Sequence, residues 1–177
     1  MTSAPIAQQR LLIDLQDLDS HLARLRHERK HLPVLTRIEA VIERLKANKR
    51  AAIQAEAALD EAKKQATRSE DEVGQVARRA EVLRERLHSG SSAARDLSAI
   101  QGEIDQLGQR QSALEEAQIV AMEALDSARQ EAERLSQEEA EIRAAGRELT
   151  AKRDAEFARL DEEIESLENQ RADLAGT

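Results

Sequence analysis

From Ile38 to Leu87 an apolar or small residue returns at every seventh position, through Leu45, Ala52, Leu59, Ala66, Val73 and Ala80. A second series three residues on runs through Val41, Asn48, Ala55, Ala62, Ser69, Val76 and Leu83. Seven unbroken heptads leave little freedom of fold, because on a helix both series line one stripe and that stripe must be covered by another helix.

The same spacing appears on either side. Leu11, Leu15, Leu18, Leu22, Leu25 and Leu32 alternate steps of four and three, and a third run extends from Leu97, Ile100, Ile104 and Leu107 through Leu114, Leu125, Leu135, Ile142 and Leu149 to Phe157, Leu160, Ile164, Leu167 and Leu174. Leu32 and Ile38 are six residues apart instead of seven, with Pro33 between them, so the seam restarts there: proline lacks the amide donor and crowds the preceding turn. His88-Ser89-Gly90-Ser91-Ser92 is the concentrated turn signal of the interior, since glycine tolerates positive φ and serine caps a following helix. Gly74, Gly102, Gly108 and Gly146 each cost a helix about 1 kcal/mol relative to alanine, which a long seam absorbs.

A chain reversing near residue 92 places residues at one level when their numbers add to about 185. Leu11 with Leu174, Leu18 with Leu167 and Leu25 with Leu160 meet that condition. Pro33 then falls opposite Lys152, where the second run is also thin, so the hairpin should kink near Pro33 and at 150–155. Ala51, Ala52, Ala55, Ala57, Ala58 and Ala62 come level with Ala121, Ala124, Ala128 and Ala132, which lets the axes approach near the lower end of the usual ~8–10 Å. Charge agrees with the pairing: residues 1–50 hold ten Lys/Arg and six Asp/Glu, and residues 131–177 hold seven and fourteen. Arg24, Arg26, Arg29 and Lys30 should face Glu156, Asp161, Glu162 and Glu163. The expected fold is all-α, a single long bent antiparallel coiled-coil hairpin over 1–177, with arm one at about 6–88, a tip at 89–95 and arm two at about 96–174.

Composition removes the alternatives. One aromatic residue in 177 cannot anchor a globular core, whereas 35% charged and 40% hydrophobic residues fit a long helical pair. The absence of cysteine excludes disulfides, a thiol nucleophile and thiolate zinc sites. A net charge of -8 argues against general nucleic-acid binding. The opening MTSAPIAQQR has neither a basic leader nor an apolar core, and no stretch approaches a membrane span of about 18 apolar residues, so a cytoplasmic location is expected.

Several strings invite sharper readings. His27-Glu28-Arg29-Lys30-His31 reproduces HExxH, with two imidazoles one turn apart as a zinc pair requires. A third ligand and a walled cleft are missing from the pattern, two cations stand inside it and Pro33 ends the helix, so His27 and His31 read as flank residues and are rejected as metal ligands. The basic run from Arg24 to His31 has no aromatic residue with which to stack a base. The tip lacks the Lys-Ser/Thr ending of a phosphate loop, and Asp161-Glu162-Glu163 reads as a solvated face. Asn48 occupies a seam position, as register-setting residues do, and Gln111 and Gln118 soften the seam of the second arm.

Gln9-Arg10-Leu11-Leu12-Ile13-Asp14-Leu15-Gln16-Asp17-Leu18-Asp19, Leu25-Arg26-His27 up to Leu32-Pro33, Ser89-Gly90 followed by Arg95-Asp96-Leu97, and the series Gln101, Glu103-Ile104, Leu107, Arg110 to Glu115 and Met122-Glu123 together resemble bacterial coiled-coil proteins with a C-terminal C4-type zinc ribbon, formerly a domain of unknown function. The resemblance implies a bent hairpin followed by a four-cysteine ribbon, and an adaptor role toward an alternative sigma factor, secretion ATPase components or messenger RNA. The ribbon's cysteines are absent from this chain, so zinc is expected only with a ribbon, and no cofactor is expected here.

The reading is thus a non-enzymatic adaptor or scaffold presenting helical surfaces to protein partners, regulatory in transcription or secretion by the resemblance, with self-association through leftover seam surface and no membrane contact. The alternative is a nucleic-acid-associated regulator whose rod positions a missing ribbon. The candidate interaction surface is Arg24, Arg26, Arg29 and Lys30 on the first arm, with Ser89, Gly90, Arg95 and Asp96 at the tip; no catalytic residue is expected.

Overall fold

A computed structural model describes residues 6–90 and 93–176. These residues form three helices, α1 (Ile6–Lys30), α2 (Pro33–His88) and α3 (Ala94–Ala175), with no strand among them. The chain divides into two compact units, Met1–Ala47 with Glu139–Thr177, and Asn48–Glu138. In each, low-numbered residues of α3 meet high-numbered residues of the first arm, so the helices run antiparallel. The fold is the all-α coiled-coil hairpin that the heptads require.

In the first unit Leu25, Leu32 and Leu160 form a buried cluster against which Val34, Leu35, Phe157, Ile164 and Leu167 pack. Leu160 has 0% of its surface exposed, and removing a side chain of that size from water contributes about 1.5–3 kcal/mol. The break between α1 and α2 occupies His31 and Leu32 alone. The His31 amide still donates to the carbonyls of His27 and Glu28, at 3.1 and 3.0 Å, and the Leu35 amide then donates to Leu32 at 3.0 Å. Pro33 is the first residue of α2, where its missing N–H has no helical partner to lose and its fixed φ suits a helix start. The residue before a proline is driven out of the helical region, so Leu32 leaves the helix while its side chain stays buried. The first arm thus changes register without opening the core. Across 150–155 α3 remains helical without interruption; Thr150 and Arg153 are half-buried there, and Phe157 supplies the apolar bulk that the leucine spacing lacks.

In the second unit the two heptad series of α2 lie against α3. Asn48, Ala55, Ser69, Val76, Ala80 and Leu83 are buried, and Leu83, Ile100 and Ile104 form a cluster joined by Leu87 and Leu107. Of the alanines expected to come level, Ala55 and Ala121 are buried, with Ala52, Ala62, Ala128 and Ala132 half-buried. Ala57, Ala58 and Ala124, expected in the same contact, are exposed instead, because two of every seven positions face the partner helix and these three fall between them.

The reversal begins where expected. α2 ends at His88, the Ser89 amide donates to Glu85 at 3.0 Å and the Ser89 hydroxyl to Arg86 at 2.9 Å. Gly90 follows with φ of 67°, the left-handed conformation that closes helices and that glycine adopts without a Cβ penalty. The capping assigned to Ser91 and Ser92 lies outside the described residues. α3 starts by donating the Asp96 and Leu97 amides to Ala93, with Asp96 in its first turn, where a carboxylate favours the exposed amides.

Candidate interaction surfaces

The basic flank of α1 lies beside the acidic end of α3. Arg29 grips Asp161 with two nitrogens, at 2.6 and 3.1 Å, and its guanidinium lies 4.2 Å from the centre of the Phe157 ring. Hydrogen bonding to Asp161 raises the Arg29 pKa above its ordinary value. Arg26, expected to face the 156–163 acids, bonds Glu168 at 2.5 Å instead. Two ion pairs run with the opposite polarity: Arg171 holds Asp19, and Arg159 reaches Glu28 at 3.3 Å. The Arg171 guanidinium keeps the Asp19 carboxyl below the usual carboxylate range. Numbers in these partnerships add to as much as 194, beyond the 185 of Leu25 and Leu160. The offset has a simple cause: side chains on both helices lean toward their own N-termini, so long flanking pairs meet several residues off the backbone level.

Of the other candidate residues, Arg24 borders a shallow recess with Asp14, Asp17 and His21, and Lys30 is exposed in the last turn of α1, where a cation complements the helix carbonyls. Ser89 and Gly90 form the turn and are exposed, as are Arg95 and Asp96. The first-arm cations belong to the first unit and the tip residues to the second. His27 and His31 stack on each other, ring centroids 4.1 Å apart with 27° between planes. His31 Nδ1 lies 2.8 Å from the His27 carbonyl oxygen, an acceptor, so that nitrogen carries the proton. Among the described residues no group of three or more His, Cys, Asp or Glu is placed to hold a metal ion, and no helix is long and apolar enough to cross a membrane.

Asn48 resolves its seam position within the chain. Its side-chain amide donates to the Leu135 carbonyl at 3.2 Å across the helix pair, while the buried Oδ1 has no partner. On the second arm Gln111 is half-buried and bonds Glu115 at 2.8 Å, one turn along its own helix.

Heptad reading did not anticipate a groove between α2 and α3 in the first unit. Ile38, Ile42, Leu45 and Ile142 line it, and Gly146 leaves a gap on the α3 side; a Cβ there would lie 3.4 Å from Val41 Cγ1. Arg143, Arg147 and Arg153 also line it. A glycine near a helix flank, with an arginine every few residues, was the available signal.

Comparison with known proteins places these features. A family model described as "CT398-like coiled coil hairpin domain" matches residues 15–177. Two uncharacterized proteins of Mycobacterium tuberculosis, from strains CDC 1551 and H37Rv, are each 34% identical to this chain over 192 residues, covering 96% of it and 77% of their own length. A solved structure from Mycobacterium smegmatis superposes with a TM-score of 0.79 at 26% identity, covering 99% of this chain and 72% of that one.

Proposed function

The chain belongs to the CT398-like coiled coil hairpin domain family, and from that membership we propose that it works as a non-enzymatic scaffold whose helical flanks and tip bind other proteins. One observation carries this reading. The seam uses up the buried side chains, and what remains is helix surface on which large apolar residues such as Ile42, Ile53 and Val82 stand exposed. Such surfaces suit the docking of another helix, which gains from apolar contact and uses charged flanks to choose orientation. The zinc-ribbon resemblance directs the search for that partner to transcription and secretion complexes. No step of this role calls for a cofactor.

The test is direct binding. Proteins retained by the immobilised chain are purified and titrated by calorimetry against wild type and against Arg24→Glu and Arg95→Glu, which alter the flank and the tip separately. Saturable protein binding that persists after nuclease treatment, and that weakens in one of the two variants, supports a scaffold. Retention that requires RNA and falls steeply with salt assigns the chain to nucleic acid instead.

A further inference from the structure

We infer that the groove beside Gly146 takes an acid-bracketed ridge of α3 from a second copy of the chain. The inference deepens the scaffold reading by naming one partner, and it can fail without affecting binding to other proteins.

The ridge lies in the second unit. Ile119 and Met122 are each 57% exposed on one flank of α3, beside the seam residues Leu114, Ala121 and Leu125, whereas Val120, 64% exposed, stands on the opposite flank. Glu115 precedes this apolar pair and Asp126 follows it, with no Lys or Arg from 111 to 128; on its α2 side Met122 borders a recess shared with Lys63, Glu70 and Arg129. On a helix, positions 115, 119, 122 and 126 form one row, an acid at each end with two apolar side chains between.

The groove is its chemical counterpart. Its floor is apolar, with Ile42 46% exposed, and three arginines line it against one carboxylate, Asp154. That carboxylate is bound to Arg153 at 2.7 Å, and Arg143 is bound to Glu139. Arg147 has no ion pair among the described residues. Exposed pairs of this kind are weak and exchange readily for an incoming acid.

Spacing supports the match. Arg143 and Arg153 are ten residues apart along α3, about 15 Å, and Glu115 and Asp126 are eleven apart, about 16 Å. Charge also selects which surfaces meet: groove on groove sets arginines against arginines and ridge on ridge sets acids against acids, whereas groove on ridge pairs opposite signs over an apolar centre. Both surfaces belong to one sequence, so a second copy brings the required ridge.

Sedimentation equilibrium of the whole chain tests this. Between about 1 and about 200 µM, the range suited to a small interface, the average mass should rise above the 19.7 kDa monomer. Gly146→Leu fills the groove with a better helix former, and Ile119→Lys spoils the ridge at an exposed position. Each should weaken association about tenfold or more at unchanged helicity, while Gly146→Ala, too small to fill the groove, should associate as wild type does. An equimolar mixture of Gly146→Leu and Ile119→Lys should regain a one-to-one complex, because the first keeps its ridge and the second its groove. A monomer throughout the range, association unaffected by either variant, or a mixture that stays monomeric overturns the inference.

Discussion

The side-chain amide of Asn48 reaches across the helix pair to the main-chain carbonyl of Leu135, so a single polar residue ties one level of α2 to one level of α3. Sliding the helices by a turn would leave that amide, as well as its Oδ1, buried and unpaired. Replacing Asn48 with leucine removes the orphaned oxygen and should raise stability by about 1–3 kcal/mol while loosening register. Thermal melting reads the first effect. Hydrogen exchange in Asn48–Glu138 reads the second as lower protection, and a variant that is both less stable and better protected refutes the assignment.

Leu160 is the best-shielded large side chain of the first unit. Leu160→Ala should cost about 2–5 kcal/mol, with loss of amide protection centred on the residues around Leu25 and Leu32 that share its cluster. Leu12→Ala, at a position 62% exposed, should cost well under 1 kcal/mol. Denaturant titration of the two variants measures the contrast.

The Asp19–Arg171 pair gives the first unit a definite acid response. Its folded-state pKa is depressed by the hydrogen bond from Arg171, so the unfolded chain binds the proton more readily. The pair's contribution is therefore complete above the ordinary aspartate value of about 3.9 and is lost as pH falls below it through the folded pKa. Stability of wild type minus that of Asp19→Asn should be flat above about pH 5 and shrink below about pH 4. A difference that grows on acidification contradicts the assignment.

Glycine to alanine should act in opposite directions at two sites. At Gly146, inside α3, the new Cβ makes an ordinary contact with Val41, and helix propensity favours the change by about 0.5–1 kcal/mol. At Gly90, with φ of 67°, alanine is strained and should cost about 1 kcal/mol. Melting temperatures of the two variants, moving up and down respectively, check both.

A disulfide test of the pairing is clean because the chain has no native cysteine. Leu25→Cys with Leu160→Cys should oxidise within one molecule at low protein concentration, and mass spectrometry of the monomer band detects the closed loop. Failure to close under oxidising conditions contradicts the shared cluster of those two leucines.

The heptads made the helices and the inward residues legible, because a 3.5-residue period is a geometric constraint that every turn repeats, and the Ser89-Gly90 turn signal made the reversal legible. Each position from Ile38 to Leu87 in the two series is buried or half-buried. Flanking partners were less legible: Arg29 meets Asp161 as expected, but Arg26 passes to Glu168, since long side chains lean along the axis and choose among several acids within reach. The groove beside Gly146 escaped notice because it depends on a missing side chain, and hydrophobic spacing records what is present. The exposed pair Ile119 and Met122 is present in the sequence as letters, yet only the fold shows that the partner helix leaves it uncovered.

Phe157, pressed beneath Arg29 beside the helix break, is also the one phenylalanine in a chain with no tryptophan or tyrosine. The protein is consequently almost dark at 280 nm and silent in fluorescence, so its concentration must be taken from peptide-bond absorbance. The same silence makes an indole introduced by Phe157→Trp a background-free optical probe, reporting from the place where the first arm changes register.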